Sequence, residues 1–532
     1  MPSPTEQPHD DLSADADVES NHGSEHDGGQ TEESRLLPND LPADLVPSKA
    51  FQRRVLLMCI LSLFIVEVAE YITEPPLKKI LEDIICRGYY PDHLLGVPMI
   101  QDNRCKSTHV QKTLAMVQGW NLAFTMAVPI VAQFPFGIIA DKYGRRPVLF
   151  LSLFGCFLQT TWVMVILLFP DTFSIWAMLP GSFFFLIGGG GPMAAAMVWT
   201  IVADVVPVAE RTGVFFRLAA AAMIFNVIVN PISAWLLEFD PWISMWIGFG
   251  FLAVGTLSVL LIPETRSFRQ EADERRRGHS GTNQHEHDDN NETHGDGVLL
   301  SKTGVLTQAW FTVKNDMQHV WRFIFSSKSI MILILAVAAF YPIRMSYSGI
   351  LLQYMTNRFD WDWSTATFIS TAGILATVVC FLVVLPLVSA VLNRTSSYQS
   401  RPIARDLLLT RISVLFAFVG AFFVAFAAAP WFFVVSLVIM SIGNCFTALV
   451  RALLNALVEP HTIATLNTTI SLVEAAMGLL GGPALGWLLS RGIELGGAWL
   501  GLPFLAISGL AMGITVMLFA LRLPVGVGQA GH

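Results

Sequence analysis

Four ionisable side chains inside the long apolar runs of this chain stand out: Glu67 and Glu70 in the first run, Arg344 in the seventh and Glu474 in the eleventh. A charge in hydrocarbon costs about 2.5–3.5 kcal/mol on insertion scales, so each needs a partner, a proton or a ligand. A desolvated carboxylate holds its proton, and a nearby guanidinium makes it let go. At 1.5 Å per residue, Glu67 would lie roughly 18 Å and Arg344 roughly 22 Å from the starts of their helices. At such similar depths the two could face each other. Glu67, assisted by Glu70, is the expected proton-exchange position, with Arg344 as its alternate contact. The structural alternatives are a static Glu67–Arg344 ion pair and a Glu70 that snorkels to the surface. Glu474 is expected either to titrate or, preferably, to pair with Arg451.

Neutral polar residues at mid-depth are the candidates for contact with a solute. Gln118 and Asn121 lie in the second run, Asn226 and Asn230 in the fifth and Asn444 in the tenth, with Trp120, Trp199 and Tyr341 as stacking surfaces. Taken singly, each serves as well to glue helices together. The run Gly188–Gly191 before Pro192 lacks the Lys and Ser or Thr of a phosphate loop and is expected to mark close helix packing or a hinge.

The elements that must position these side chains follow from composition. Of 532 residues, 53% are hydrophobic and 14% charged, where soluble domains carry about 25% charged residues. Soluble classes are excluded. The net charge of −8 sits outside the apolar part and gives no reason to expect a nucleic-acid partner. With about 20 residues needed to cross a bilayer, twelve spans can be drawn. The first six are 54–73, 114–140, 147–169, 174–203, 213–237 and 242–262. The second six are 329–351, 364–391, 406–429, 431–457, 466–490 and 500–521. Lys and Arg gather in the segments that place both termini in the cytoplasm, among them Lys142, Arg145, Arg146, Arg211 and Arg275–Arg277. The loop after the first span, opening at Glu74-Pro75-Pro76, is then external.

Between the second and third spans stands Gly137-Ile-Ile-Ala-Asp141-Lys-Tyr-Gly144-Arg145-Arg146-Pro147. Gly137 would let helices approach closely. Gly144 permits a backbone that most residues avoid. Asp141 could bind a helix-end dipole, Arg145 or Arg211, forming a cytoplasmic latch. The pattern Gly-x-x-x-Asp-x-x-Gly-Arg-Arg resembles the loop between helices 2 and 3 of the major facilitator superfamily. Pro263-Glu264-Thr265-Arg266 resembles that family's exit from helix 6, and Asn226-x-x-x-Asn230-Pro231 is echoed by Gly478-x-x-x-Gly482-Pro483 in the second half. The resemblance implies an all-α integral membrane protein, with twelve helices in two pseudo-symmetric six-helix bundles around a midplane cavity. Glu74-Pro75-Pro76 and Cys86 are similar to fungal facilitators distantly related to the proton-coupled folate transporter group. The second half departs from the pattern, with Leu392, Asn393 and Arg394 where the acidic loop motif would stand. In the fourth span, Phe183–Phe185 occupy the place where many members carry a buried Arg.

The implied organisation is a disordered acidic tail (1–50), a first bundle (51–265), a cytoplasmic linker with an amphipathic helix (266–328), a second bundle (329–522) and a short tail (523–532). Cys86 and Cys105 share the external side, where a disulfide is permitted. Glu32-Glu33-Ser34-Arg35-Leu36-Leu37 resembles an acidic dileucine signal read by sorting adaptors, so the plasma membrane and a vacuolar or endosomal membrane are both open. His279, His285, His287 and His294 lie in a polar linker without metal-site spacing. No cofactor, metal site or catalytic set is expected. The expected function is secondary active transport of a small organic solute by a monomer in contact with lipid, coupled to protons. A non-transporting sensor on the same fold is the alternative.

Overall fold

The computed structural model describes residues 48–90, 103–206, 208–264, 327–394, 402–458 and 463–521. Among them, 12 helices are long and apolar enough to cross a membrane. The first half comprises α1 (Lys49–Tyr89), α2 (Thr108–Tyr143), α3 (Arg145–Leu168), α4 (Ile175–Val205), α5 (Val208–Phe239) and α6 (Pro241–Leu261). The second comprises α7 (Lys328–Gly349), α8 (Trp363–Arg394), α9 (Pro402–Phe426), α10 (Pro430–Leu457), α11 (Ile463–Leu495) and α12 (Leu502–Ala520). Hydrocarbon offers no partner to a backbone N–H or C=O, so apolar runs of this length close their hydrogen bonds internally as helices. The fold is the all-α, two-bundle architecture expected. The tail with Glu32, Leu36 and Leu37, the linker histidines and the 305–325 stretch lie outside the described residues, as do the side chains of Asp141 and Arg211.

The largest departure from expectation is α1, which runs on to Tyr89 with Pro75 and Pro76 inside it. The expected external loop from Glu74 onward is therefore helix. A proline removes one donor to the carbonyl four residues back. For Pro76 that carbonyl belongs to Ile72, and the buried Ser233 hydroxyl on α5 donates to it at 3.3 Å. Of the charges beyond residue 73, Glu74, Lys78 and Glu82 are paired. Lys78 Nζ donates to Glu74 at 2.8 Å and to the Ser348 carbonyl, and the buried Glu82 is held by three donors described below. Cys86 and Cys105 are disulfide-bonded, tying the end of α1 to the turn before α2.

α4 begins as a tight 3₁₀ segment, Ile175–Leu186, and becomes α-helical from Gly190. The join is made by Gly188, Gly189 and Gly190, with φ of +92°, +90° and +62°. A Cβ at Gly188 would lie 2.3 Å from the Leu151 carbonyl carbon, and Ser152 Oγ donates to the Gly188 carbonyl at 2.6 Å. Close packing on α3 accounts for Gly188, and the positive φ of the turn for Gly189 and Gly190.

Two seams join the halves. In the first, α2 meets α11 backbone to backbone: a Cβ on Gly119 would sit 2.7 Å from the Gly482 carbonyl oxygen, and one on Gly486 2.5 Å from that of Ala115. Small residues let membrane helices touch this closely. In the second, α5 meets α8 through Asn230, whose amide donates to the Thr367 carbonyl (2.9 Å), Ser370 Oγ (3.0 Å) and Thr371 Oγ1 (2.9 Å).

Candidate functional site

A cavity of about 680 Å³ lies among α1, α2, α3, α4 and α6, with Lys78 of α1 and Ser348 and Gly349 of α7 also lining it. Glu67, Glu70, Glu74 and Lys78 all line it. Steps of three, four and four residues put them on one helix face. Glu74 is bound to Lys78. Among the described residues, Glu67 and Glu70 make no hydrogen bond or ion pair. Across from them on α2, both amide atoms of Gln118 and Oδ1 of Asn121 are buried and without a hydrogen-bond partner among the described residues. Gln159 and Thr160 of α3 and Thr125 of α2 add polar groups, and Leu63, Val66, Leu149, Leu153 and Leu252 supply apolar wall.

The expected site residues divide sharply. Glu67, Glu70, Gln118 and Asn121 meet around this cavity. Arg344 does not face Glu67. It lines a separate, small cavity with Tyr341, Phe446 and Glu474, and its guanidinium lies 4.9 Å from the Tyr341 ring centroid. Glu474 accepts from Arg451 Nη2 at 2.8 Å, a pairing between α11 and α10. Asn230 belongs to the α5–α8 seam, where three acceptors consume its amide. Tyr341 gives its hydroxyl to Met126 Sδ and its ring to Arg344. Trp199 packs edge-on against Phe215, and Asn444 reaches toward Thr377 Oγ1 at 3.5 Å between α10 and α8. Asn226 keeps a buried Oδ1 without a hydrogen-bond partner among the described residues but does not line the cavity. For these five the expected place on the cavity wall is corrected, since none lines it; neighbouring helices engage Asn230, Tyr341 and Trp199, while the Oδ1 atoms of Asn226 and Asn444 stay without a partner among the described residues.

Sequence reasoning missed Glu74 and Lys78, which it placed in a loop. Extending the acidic period of Glu67 and Glu70 through the prolines would have found both. It also missed a buried polar network at the disulfide side. Glu82 there accepts from Lys106 (3.0 Å), Trp363 Nε1 (2.6 Å) and Gln111, while Gln353 and Asn357 donate to Gln111 Oε1 at 3.0 and 2.8 Å. This network joins α1 and α2 to the start of α8 and to the short helix Leu351–Arg358. The described hydrogen bonds and ion pairs between the halves gather on this side, including Ser364 Oγ to the Ala234 carbonyl (2.8 Å) and Lys112 to Glu494 (3.2 Å).

At the opposite end, the Gly144–Arg146 turn is pinned within the first half. Arg145 Nε lies 3.5 Å from Asp204 Oδ2, both side chains buried. The Glu264 carboxylate accepts from the backbone N–H of Arg145 (3.1 Å) and Arg146 (3.3 Å), groups that the start of a helix leaves free. Gly144 has φ +113°, and a Cβ on it would lie 2.6 Å from Glu264 Oε2. Asp204 and Glu264 stand in the sequence as the polar turn before α5 and the exit of α6, and neither was expected in the latch. Gly137 is corrected: a Cβ there would meet nothing within 4 Å among the described residues, so the close helix approach expected there is not seen. Among the described residues, no group of three or more His, Cys, Asp or Glu could hold a metal ion.

The profile of the Major Facilitator Superfamily matches residues 106–482. The chain is 27% identical over 512 residues to the MFS efflux pump atnC of Emericella nidulans, covering 93% of each chain. It is 28% identical over 447 residues to the efflux pump ustT of Aspergillus flavus, covering 82% of each. Among solved structures, the nucleoside transporter NupG superposes with a TM-score of 0.56 at 12% identity, over 88% of this chain and 100% of that one. At that identity the likeness is one of fold.

Proposed function

This chain belongs to the Major Facilitator Superfamily, and from that membership we propose a secondary active transporter that moves a small organic solute by alternating access, with Glu67 and Glu70 exchanging protons. The observation that carries the reading is the 680 Å³ cavity, which holds two carboxylates and three amide atoms with no partner among the described residues. Buried polar groups are normally satisfied by the protein or by water. Groups left open along a cavity wall are available to a solute or a proton.

The arginine-rich turn faces the cytoplasm in this reading and the disulfide faces away from it, in keeping with the positive-inside rule and with disulfide chemistry. The hydrogen bonds and ion pairs that join the halves among the described residues then gather on the external side, so the cavity loads from the cytoplasm. That direction suits export, the activity in the names of the two fungal relatives. The bundles 51–265 and 329–522 rock about the seams, and the linker 266–328 joins them. The protein acts as a monomer at the plasma membrane or a vacuolar or endosomal membrane. The test is solute movement into proteoliposomes under an imposed pH gradient, with a panel of metabolites and drugs first screened by thermal stabilisation. Gradient-driven movement of one panel member is expected. If stabilising ligands bind but none is moved, the transport reading fails.

A further inference from the structure

Resting on the transport reading, we infer that the cavity selects amphipathic organic cations, specifically protonated amines carried on an apolar body, with Glu67 and Glu70 as counter-ions and Gln118 and Asn121 as hydrogen-bond acceptors.

The sign of the charge comes first. Three carboxylates and one ammonium line the cavity. The ammonium of Lys78 is already engaged by Glu74 and by the Ser348 carbonyl. Two carboxylates remain without a cationic partner; a cationic solute stabilises their ionised form, whereas an anion would be accepted only against their protonated form. A cation replaces the missing partner. The carboxylates do not form a compact ligand set for a metal ion. Glu67 and Glu70 stand one helical turn apart, roughly 4.5 Å of rise, a spacing that brackets a single cationic head.

The uncharged groups refine the class. Asn121 Oδ1 and Gln118 Oε1 are acceptors without a donor among the described residues. An ammonium supplies N–H donors to both, whereas a quaternary head has none to give. Beyond the polar groups of Gln159, Thr160 and Thr125 the wall is mostly apolar, with Leu63, Val66, Leu149, Leu153 and Leu252 among its residues, so the remainder of the solute is apolar. A volume of about 680 Å³ lies within the usual range for drug-sized ligands. A polyhydroxylated solute would strip water from many hydroxyls against this wall without replacement.

Three shape-matched probes test this on the purified full-length protein: biphenyl-4-methylammonium, its N,N,N-trimethyl analogue and biphenyl-4-carboxylate. Binding is measured by calorimetry. The expected order is ammonium, then trimethylammonium, with the carboxylate not bound. Glu70→Gln and Glu67→Gln are each expected to weaken both cations about tenfold or more, roughly 1.4 kcal/mol per factor of ten. Asn121→Leu is expected to weaken the ammonium alone. Glu70→Asp, which keeps the charge, retains binding and guards against a folding artefact, as does an unchanged thermal unfolding profile.

Failure of the ammonium to bind, a carboxylate that binds as well as the cations, or cation binding indifferent to both Gln variants overturns the inference. The trimethyl probe, a permanent ion, is also followed in proteoliposomes. Glutamate-dependent binding without movement leaves the cation site standing and removes the transport reading. Movement of panel solutes of other charge, with no cation bound, does the reverse.

Discussion

The two halves of this protein handle intramembrane charge in opposite ways. In the first half, Glu67 and Glu70 line an open cavity with no partner among the described residues. In the second, Glu474 is bound to Arg451 at 2.8 Å, and Arg344 lies on the ring of Tyr341 beside a cavity too small for a solute. Each charge carries the same kind of solvation cost. Where a partner is built in, the charge holds helices together. Where it is withheld, a ligand or proton must complete it, and that asymmetry separates a working site from a structural one.

The sharpest way to break the contrast is to neutralise each side. Glu67→Gln should reduce pH-gradient-driven transport to background while leaving thermal unfolding unchanged; a transport assay beside differential scanning fluorimetry reads both. Cleaving the Cys86–Cys105 bond, which closes 19 residues of sequence separation, should cost about 3 kcal/mol of stability by loop entropy. Reduction with a thiol, followed by thermal unfolding, checks this. Glu474→Gln should cost roughly 1–3 kcal/mol, between exposed and buried pairs, since the Arg451 side chain is 37% exposed. It should leave transport running. The charge-swapped pair Arg451→Glu with Glu474→Arg should recover part of that stability. Asn230→Ala, which removes three donations to α8, should cost about 1–2 kcal/mol and slow transport less than Glu67→Gln.

How much of this was legible in the sequence depends on which physical signal each residue carries. Span number and order follow from hydrophobic length alone, and Glu67, Glu70, Gln118 and Asn121 stand out because polar atoms in apolar runs are conspicuous. The end of α1 was hidden because Pro75-Pro76 with flanking charges reads as a loop. Only the tertiary partners Ser233, Ser348 and Trp363 show why a helix survives there. Depth along a helix was legible but azimuth was not. Glu67 and Arg344 share a depth on paper, yet they open into different cavities. Asn230 and Asn226, four residues apart, read alike, and their different roles depend on which neighbour each amide meets. Gly144 announced its backbone, whereas the latch partners Asp204 and Glu264 come from distant turns that no local pattern links.

The most direct measurement is pH-gradient-driven movement of labelled biphenyl-4-methyl-trimethylammonium in proteoliposomes with the membrane potential clamped, comparing the native protein, Glu67→Gln and Glu474→Gln. Movement in the native protein and in Glu474→Gln, with none in Glu67→Gln, is the result expected if the open carboxylates of the first half do the work. Gradient-driven movement that survives in Glu67→Gln and disappears in Glu474→Gln would contradict it and transfer the working site to the second half.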